Sequence, residues 1–86
     1  MRDPEMPPKK QIHTERHRVF RALLVEERKM RGLTQTQIAE HLGKPPSYVA
    51  KYELGERRLD VLEFLDIAEA IGFETSTLLE KLKQIG

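Results

Sequence analysis

Ser47, Tyr48 and Lys51 fall within five residues, and a helix through them would carry all three on one exposed side. A lysine so placed can donate to a pair of acceptors such as guanine O6 and N7. A serine can donate or accept and therefore discriminates weakly. A tyrosine can pack on a thymine methyl or hydrogen-bond a phosphate. Pro46, beside them, offers van der Waals contact alone. Thr34 and Gln35 stand where an earlier helix would open, and its free N–H groups and positive dipole end suit an anion. Gly55, through its amide, and the adjacent Arg57 and Arg58 are placed to grip a phosphate backbone on a second flank. Glu56 would repel that phosphate and must point away. The plainer reading of Tyr48 and Lys51 is an ordinary amphipathic outer face, and that of Thr34 is a helix cap.

Bond-making chemistry has no comparable set. No pair of carboxylates, no nucleophile with a base and no glycine-rich phosphate loop stands out, so no enzyme is expected. His13 and His17 sit four apart and share a helical face, but a third ligand is missing and HTERH is not the HExxH zinc pattern. A surface histidine pair is the reading, with no metal or cofactor. The sequence has no cysteine, which removes disulfides and thiolate metal sites and suits a reducing cytoplasm.

The elements that must position these residues lie between Leu33 and Glu53. Thr34 and Gln37 form a capping box, and Ile38, Ala39 and Leu42 follow on one helical face. Gly43 can take the left-handed conformation of a helix end. Pro45 and Pro46 suit a first helical turn, where a missing N–H costs nothing. In the second helix Val49 and Tyr52 point inward, while Ser47, Tyr48 and Lys51 point out. Two short helices joined at a glycine make a helix-turn-helix unit, which lays its second helix in a DNA major groove.

LTQTQIAEHLG, then SYVAKYELGERR, then the helical run through Ile71-Gly72 resembles the phage-repressor and Cro-type family of XRE-like regulators. The resemblance covers about residues 19–83. Its most specific parts are Thr34-Gln35, the A-x-x-L-G ending at Gly43, and the Y-E-x-G-E-R-R run. It implies an all-α fold, a compact five-helix bundle like the lambda-repressor DNA-binding domain, working as a homodimer on a double-stranded DNA operator. It assigns Gln35 a phosphate contact and pairs Arg28 with Glu53, the glutamate closing the recognition helix. Pro46 departs from relatives that carry glutamine or arginine there, so weaker direct readout and more reliance on DNA shape are expected.

The remaining chain fits one domain with a modest core. Residues 1–11, with Arg2, Lys9, Lys10 and three prolines, read as a disordered basic arm, and residues 12–86 as the single helix-turn-helix domain. A first helix spans about 12–31 with Val19, Phe20, Leu23 and Leu24 on its apolar stripe, and Arg16, Arg18 and Arg21 as a solvated basic cluster. Asp60 caps a fourth helix whose core stripe is Val61, Phe64, Leu65, Ala68 and Ile71, with Leu62 and Ile67 off it. Thr75 or Ser76 caps a last helix. Leu59, Leu62, Phe73 and the last helix, with Leu78, Leu79, Leu82 and Ile85, are apolar beyond what one small core demands and are expected at the homodimer interface; the alternative is that the short last helix simply covers the core.

Net charge is only +1, but residues 1–58 carry 13 Lys and Arg against 8 Asp and Glu, a net of +5, while residues 59–86 carry 2 against 6, a net of −4. Such polarity orients a protein on a polyanion. No apolar run is long enough to span a bilayer, and no secretory signal follows the amino-terminal charges. The expectation is a sequence-specific transcriptional regulator, a repressor, in a bacterial or phage cytoplasm at the nucleoid. The alternative is a small antitoxin or controller-type protein whose main role is to bind a protein partner.

Overall fold

The computed structural model describes residues 14–85, so the expectations for the 1–11 arm and for His13 lie outside the described residues. Five helices follow one another: α1 (Glu15–Met30), α2 (Gln35–Leu42), α3 (Pro46–Leu54), α4 (Val61–Ile71) and α5 (Thr75–Lys83). The described residues contain no strand.

Local chemistry sets most of the boundaries. The hydroxyl of Thr14 accepts the His17 N–H and starts α1. Thr34 with Gln37, and Asp60 with Glu63, form complete capping boxes that start α2 and α4. At α5 the cap lies one residue before the expected Thr75 and two before Ser76. The cap position is Glu74, which makes no side-chain bond, and Thr75 is already the first helical residue. Gly43 ends α2 with φ +69° and lets the chain turn sharply into the two prolines.

The core is drawn from every helix: Leu24 from α1, Ile38 and Ala39 from α2, Tyr48, Val49 and Tyr52 from α3, Phe64, Ile67 and Ile71 from α4, and Leu78 from α5. The fourth helix corrects its expected stripe. Phe64, Ile67, Ala68 and Ile71 are buried, at the 3-4-7 spacing of one helical face. Ile67 is therefore fully inward. Val61 (72% exposed) and Leu65 face out with Leu62 (71% exposed). Both stripes are consistent with a 3.6-residue period, and contact with α2 selects between them.

Arginines of α1 hold other elements by their ends. Arg16 donates through Nε to the Ile85 carbonyl at 3.0 Å, tying the chain after α5 to the start of α1. Arg28 reaches across to α3 and also donates to the Leu33 carbonyl at 2.9 Å. The solvated cluster expected of Arg16, Arg18 and Arg21 is largely occupied, since Arg18 pairs with Glu15 and Arg21 lies against α3.

One core group is out of place energetically. The Tyr52 hydroxyl is buried without a hydrogen-bond partner, and burial pushes its ionisation well above the ordinary tyrosine range. A buried donor without a partner costs about 1–3 kcal/mol. Tyr52→Phe is expected to raise stability by about 1 kcal/mol, read as a higher urea midpoint at unchanged slope. A lower midpoint would mean that the hydroxyl is bonded in solution.

Candidate nucleic-acid interface

The second helix of the pair, α3, offers an exposed amino-terminal face. Pro45, Pro46 and Ser47 are exposed on its first turn, and Lys51 is exposed one turn further on. Pro46 occupies the first helical position and has no N–H, so this end, which lacks a side-chain cap, has one fewer open donor.

Tyr48 does not join that face. It is 8% exposed, its ring edge-on to Tyr52 at 5.8 Å between centroids. Lys44 Nζ lies 5.4 Å from its ring centre and the Arg57 guanidinium 4.9 Å. The inward face of α3 is Tyr48, Val49 and Tyr52, wider than the expected Val49 and Tyr52. Tyr48 and Tyr52 are one turn apart, and that spacing was the available signal. The hydroxyl is held above its ordinary ionisation range, first by burial.

The phosphate candidates divide. Arg57, half-buried, is paired within the protein. Its Nη2 donates to Glu63 Oε2 at 2.6 Å, its Nη1 to the Arg58 carbonyl at 2.8 Å, and its plane covers Tyr48. Gly55 is buried, and its amide donates to the Tyr52 carbonyl at 3.3 Å while the Glu56 amide donates to Lys51 at 2.8 Å. These two bonds close α3 in a Schellman arrangement, so the Gly55 amide is not free for a phosphate. Thr34 is committed to its cap, accepting from Gln37 N–H at 3.1 Å. Gln35 was expected outward, yet its Nε2 donates to Glu53 Oε1 at 2.8 Å. The backbone amides of Gln35 and Thr36, at the first two positions of α2, have no intrahelical acceptor and remain presentable.

Arg58 keeps its side chain unpaired. With Thr14, Arg16, His17, Phe20 and Leu82 it lines a shallow hollow of ≈ 370 Å³. Among the described residues, Lys29, Lys44, Lys51, Arg58 and Lys81 are the Lys and Arg side chains with neither a hydrogen bond nor an ion pair. Three of them belong to the segment from the α2–α3 turn to the α3–α4 loop. Lys44 was missed in sequence. Its position in the turn just before the prolines was the clue.

Behind this face stands one ionic network. Arg28 Nε and Nη2 donate to the two Glu53 oxygens at 2.7 and 3.1 Å, and Gln35 adds a third donor. The pair is buried, with side chains 10% and 6% exposed. It joins α1, α2 and the end of α3, which fixes the crossing of the two helices. Of the expected dimer residues, Leu59 and Phe73 pack onto the chain's own core, Phe73 at 6.0 Å from Phe64. Leu62 remains exposed, and the apolar surface around it is Val61 and Leu65.

A short helix, a glycine turn and a second helix with an exposed, cation-bearing face define a helix-turn-helix DNA-binding unit. A family model described as helix-turn-helix matches residues 24–78. A solved structure named as an XRE-family like protein from Pseudomonas syringae pv. tomato str. DC3000 is similar, at 45% identity and a TM-score of 0.79, over 88% of this chain and 93% of that one. Curated proteins give no match. The chain belongs to the XRE-type helix-turn-helix family of DNA-binding transcriptional regulators. No helix among the described residues is long and apolar enough to cross a membrane.

Proposed function

We propose that the chain is a sequence-specific repressor that binds double-stranded DNA as a homodimer, with α3 in the major groove. The observation that carries this reading is the set of unpaired cations Lys44, Lys51 and Arg58 around the exposed turn of Pro45, Pro46 and Ser47. Lys51 and Ser47 reach base edges, and Pro46 packs on a thymine methyl. Arg58 and Lys44 take phosphates on one side of the helix, and the Gln35 and Thr36 amides take one on the other. Two copies related by a two-fold axis read half-sites about 34 Å apart, one helical turn. The exposed strip of Val61, Leu62 and Leu65 supplies the surface between copies. Such a regulator is not an enzyme, needs no cofactor, and works at the nucleoid in a bacterial or phage cytoplasm.

The same apolar strip favours a second reading, a small antitoxin or controller-type protein that binds a protein partner through α4. Selection of a randomised duplex library on the purified protein separates the two. An enriched inverted repeat supports the dimeric reader. Weak, salt-sensitive binding without enrichment supports the partner-binding reading.

Two substitutions probe the roles separately. Lys51→Ala is expected to weaken the selected site by about ten- to a hundredfold with little change on random DNA. Arg58→Ala is expected to weaken all sequences alike and to lower the salt slope by about one unit. Titration of both duplexes at several salt concentrations reads each outcome. Equal losses on both duplexes for Lys51→Ala would remove it from base reading.

A further inference from the structure

Four observations meet at the carboxyl-terminal end of α3. Gly55 has φ +83°, and a Cβ built on it would lie 2.8 Å from Arg21 Nη1 and 2.9 Å from Arg21 Cζ. The guanidinium is therefore laid directly on the glycine backbone. Arg21 Nη1 points at the Glu53 carbonyl, 3.4 Å away. The carbonyls of Lys51 and Tyr52 accept the Glu56 and Gly55 amides, so the Glu53 carbonyl is one that the helix end itself leaves open. One turn back on α1, Arg21 Nε donates to His17 Nδ1 at 3.2 Å. The guanidinium is thus held from behind by α1 while its front edge faces α3, where a cation also suits the negative end of the helix dipole.

Glu53 is consequently gripped twice by α1. Arg21 faces its backbone carbonyl, and Arg28, seven residues or two turns later on the same helical side, holds its carboxylate. One grip would let α3 pivot about Glu53. Two grips fix both its rotation and its slide relative to α1. The two residues given DNA contacts beside this point are Lys51, two residues before Glu53, and Arg58, three residues after Gly55.

We infer that Arg21 is a positioning residue for DNA reading. It touches no DNA, but sets the end of α3 and the start of the α3–α4 loop so that Lys51 and Arg58 present together. Gly55 serves this as well as ending the helix, since any side chain there would displace the guanidinium. The inference rests on the DNA-binding reading for its purpose and on the α1–α3 contact for its mechanism, and the two are testable apart.

The test compares wild type, Arg21→Lys and Arg21→Met. Lysine keeps the charge and loses the planar fork. Backbone amide exchange is followed by NMR at Gly55 and Glu56, with the Lys44 amide, which closes α2 on Ala39, as internal reference. Both variants are expected to speed exchange at Gly55 and Glu56 relative to Lys44, a local opening. Both are also expected to lose about tenfold in affinity for the library-selected duplex while remaining folded, a loss of the order of one charge-assisted hydrogen bond. Unchanged exchange at Gly55 and Glu56 overturns the inference, as does faster exchange with wild-type affinity for the selected duplex. Near-wild-type binding by Arg21→Lys, together with a salt slope lowered by about one unit in Arg21→Met, also overturns it, because Arg21 would then be a simple phosphate contact. Should wild type select no duplex, the DNA-binding reading fails, and the exchange data still decide whether Arg21 holds α3.

Discussion

Glu53→Ala is expected to remove about 3–5 kcal/mol of folding stability, the cost of leaving a buried guanidinium without its counter-charge. The loss is this large because the carboxylate, on α3, serves three donors at once, two from Arg28 on α1 and one from Gln35 on α2. A domain of this size has a total stability of the order of 5–10 kcal/mol, so the variant sits near the edge of unfolding at 25 °C. Removing both charges, as in Arg28→Met with Glu53→Leu, is expected to cost less than Glu53→Ala alone, because no orphan charge remains. Urea unfolding of the single and double variants tests the asymmetry. A double variant as unstable as the sum of its singles would show that the charges act independently.

The second large effect separates packing from recognition at Tyr48. Tyr48→Ala is expected to cost roughly 3 kcal/mol, as large-to-small changes at buried aromatics do. Its ring packs against Tyr52, and both Lys44 and Arg57 lie over it, so the truncation also removes two cation–ring contacts. Tyr48→Phe keeps the ring and is expected to leave both stability and DNA affinity close to wild type. Calorimetry paired with duplex titration reads both. Loss of site affinity in a fully stable Tyr48→Phe protein would return the hydroxyl to the DNA interface.

The contrast at Tyr48 also explains how far the residues alone could be read. The helix boundaries were legible where they depend on neighbours in sequence. Thr34 with Gln37, the stop at Gly43 and the cap at Asp60 are local bonds within three or four residues. The Arg28–Glu53 pair came with the family resemblance, and the structure places it as implied. What was not legible depends on partners carried by other elements of the fold. Arg57 looked like a free cation because its neighbours Tyr48 and Glu63 belong to two other helices. Arg21 looked solvated because its partner carbonyl lies 32 residues on. In α4, apolar residues at 61, 62, 64, 65, 67, 68, 70 and 71 fit two overlapping stripes, so periodicity could not choose between Leu65 and Ile67. The charge polarity marks the half of the chain that holds the helix-turn-helix, yet most of the described arginines there are bonded within the protein. The free cations that remain are few and largely lysine.

The Arg16 bond to the Ile85 carbonyl has a practical consequence for anyone who would attach something to this domain. It brings the entrance and exit of the described fold to one edge, and Thr14 and Arg16 share a hollow there with Arg58. A fluorescent protein or affinity tag joined directly at Thr14 or after Ile85 is therefore expected to emerge beside Arg58, the side chain proposed to take a phosphate. Joined there, a cargo on either side needs a long, polar spacer to stay clear of the proposed duplex.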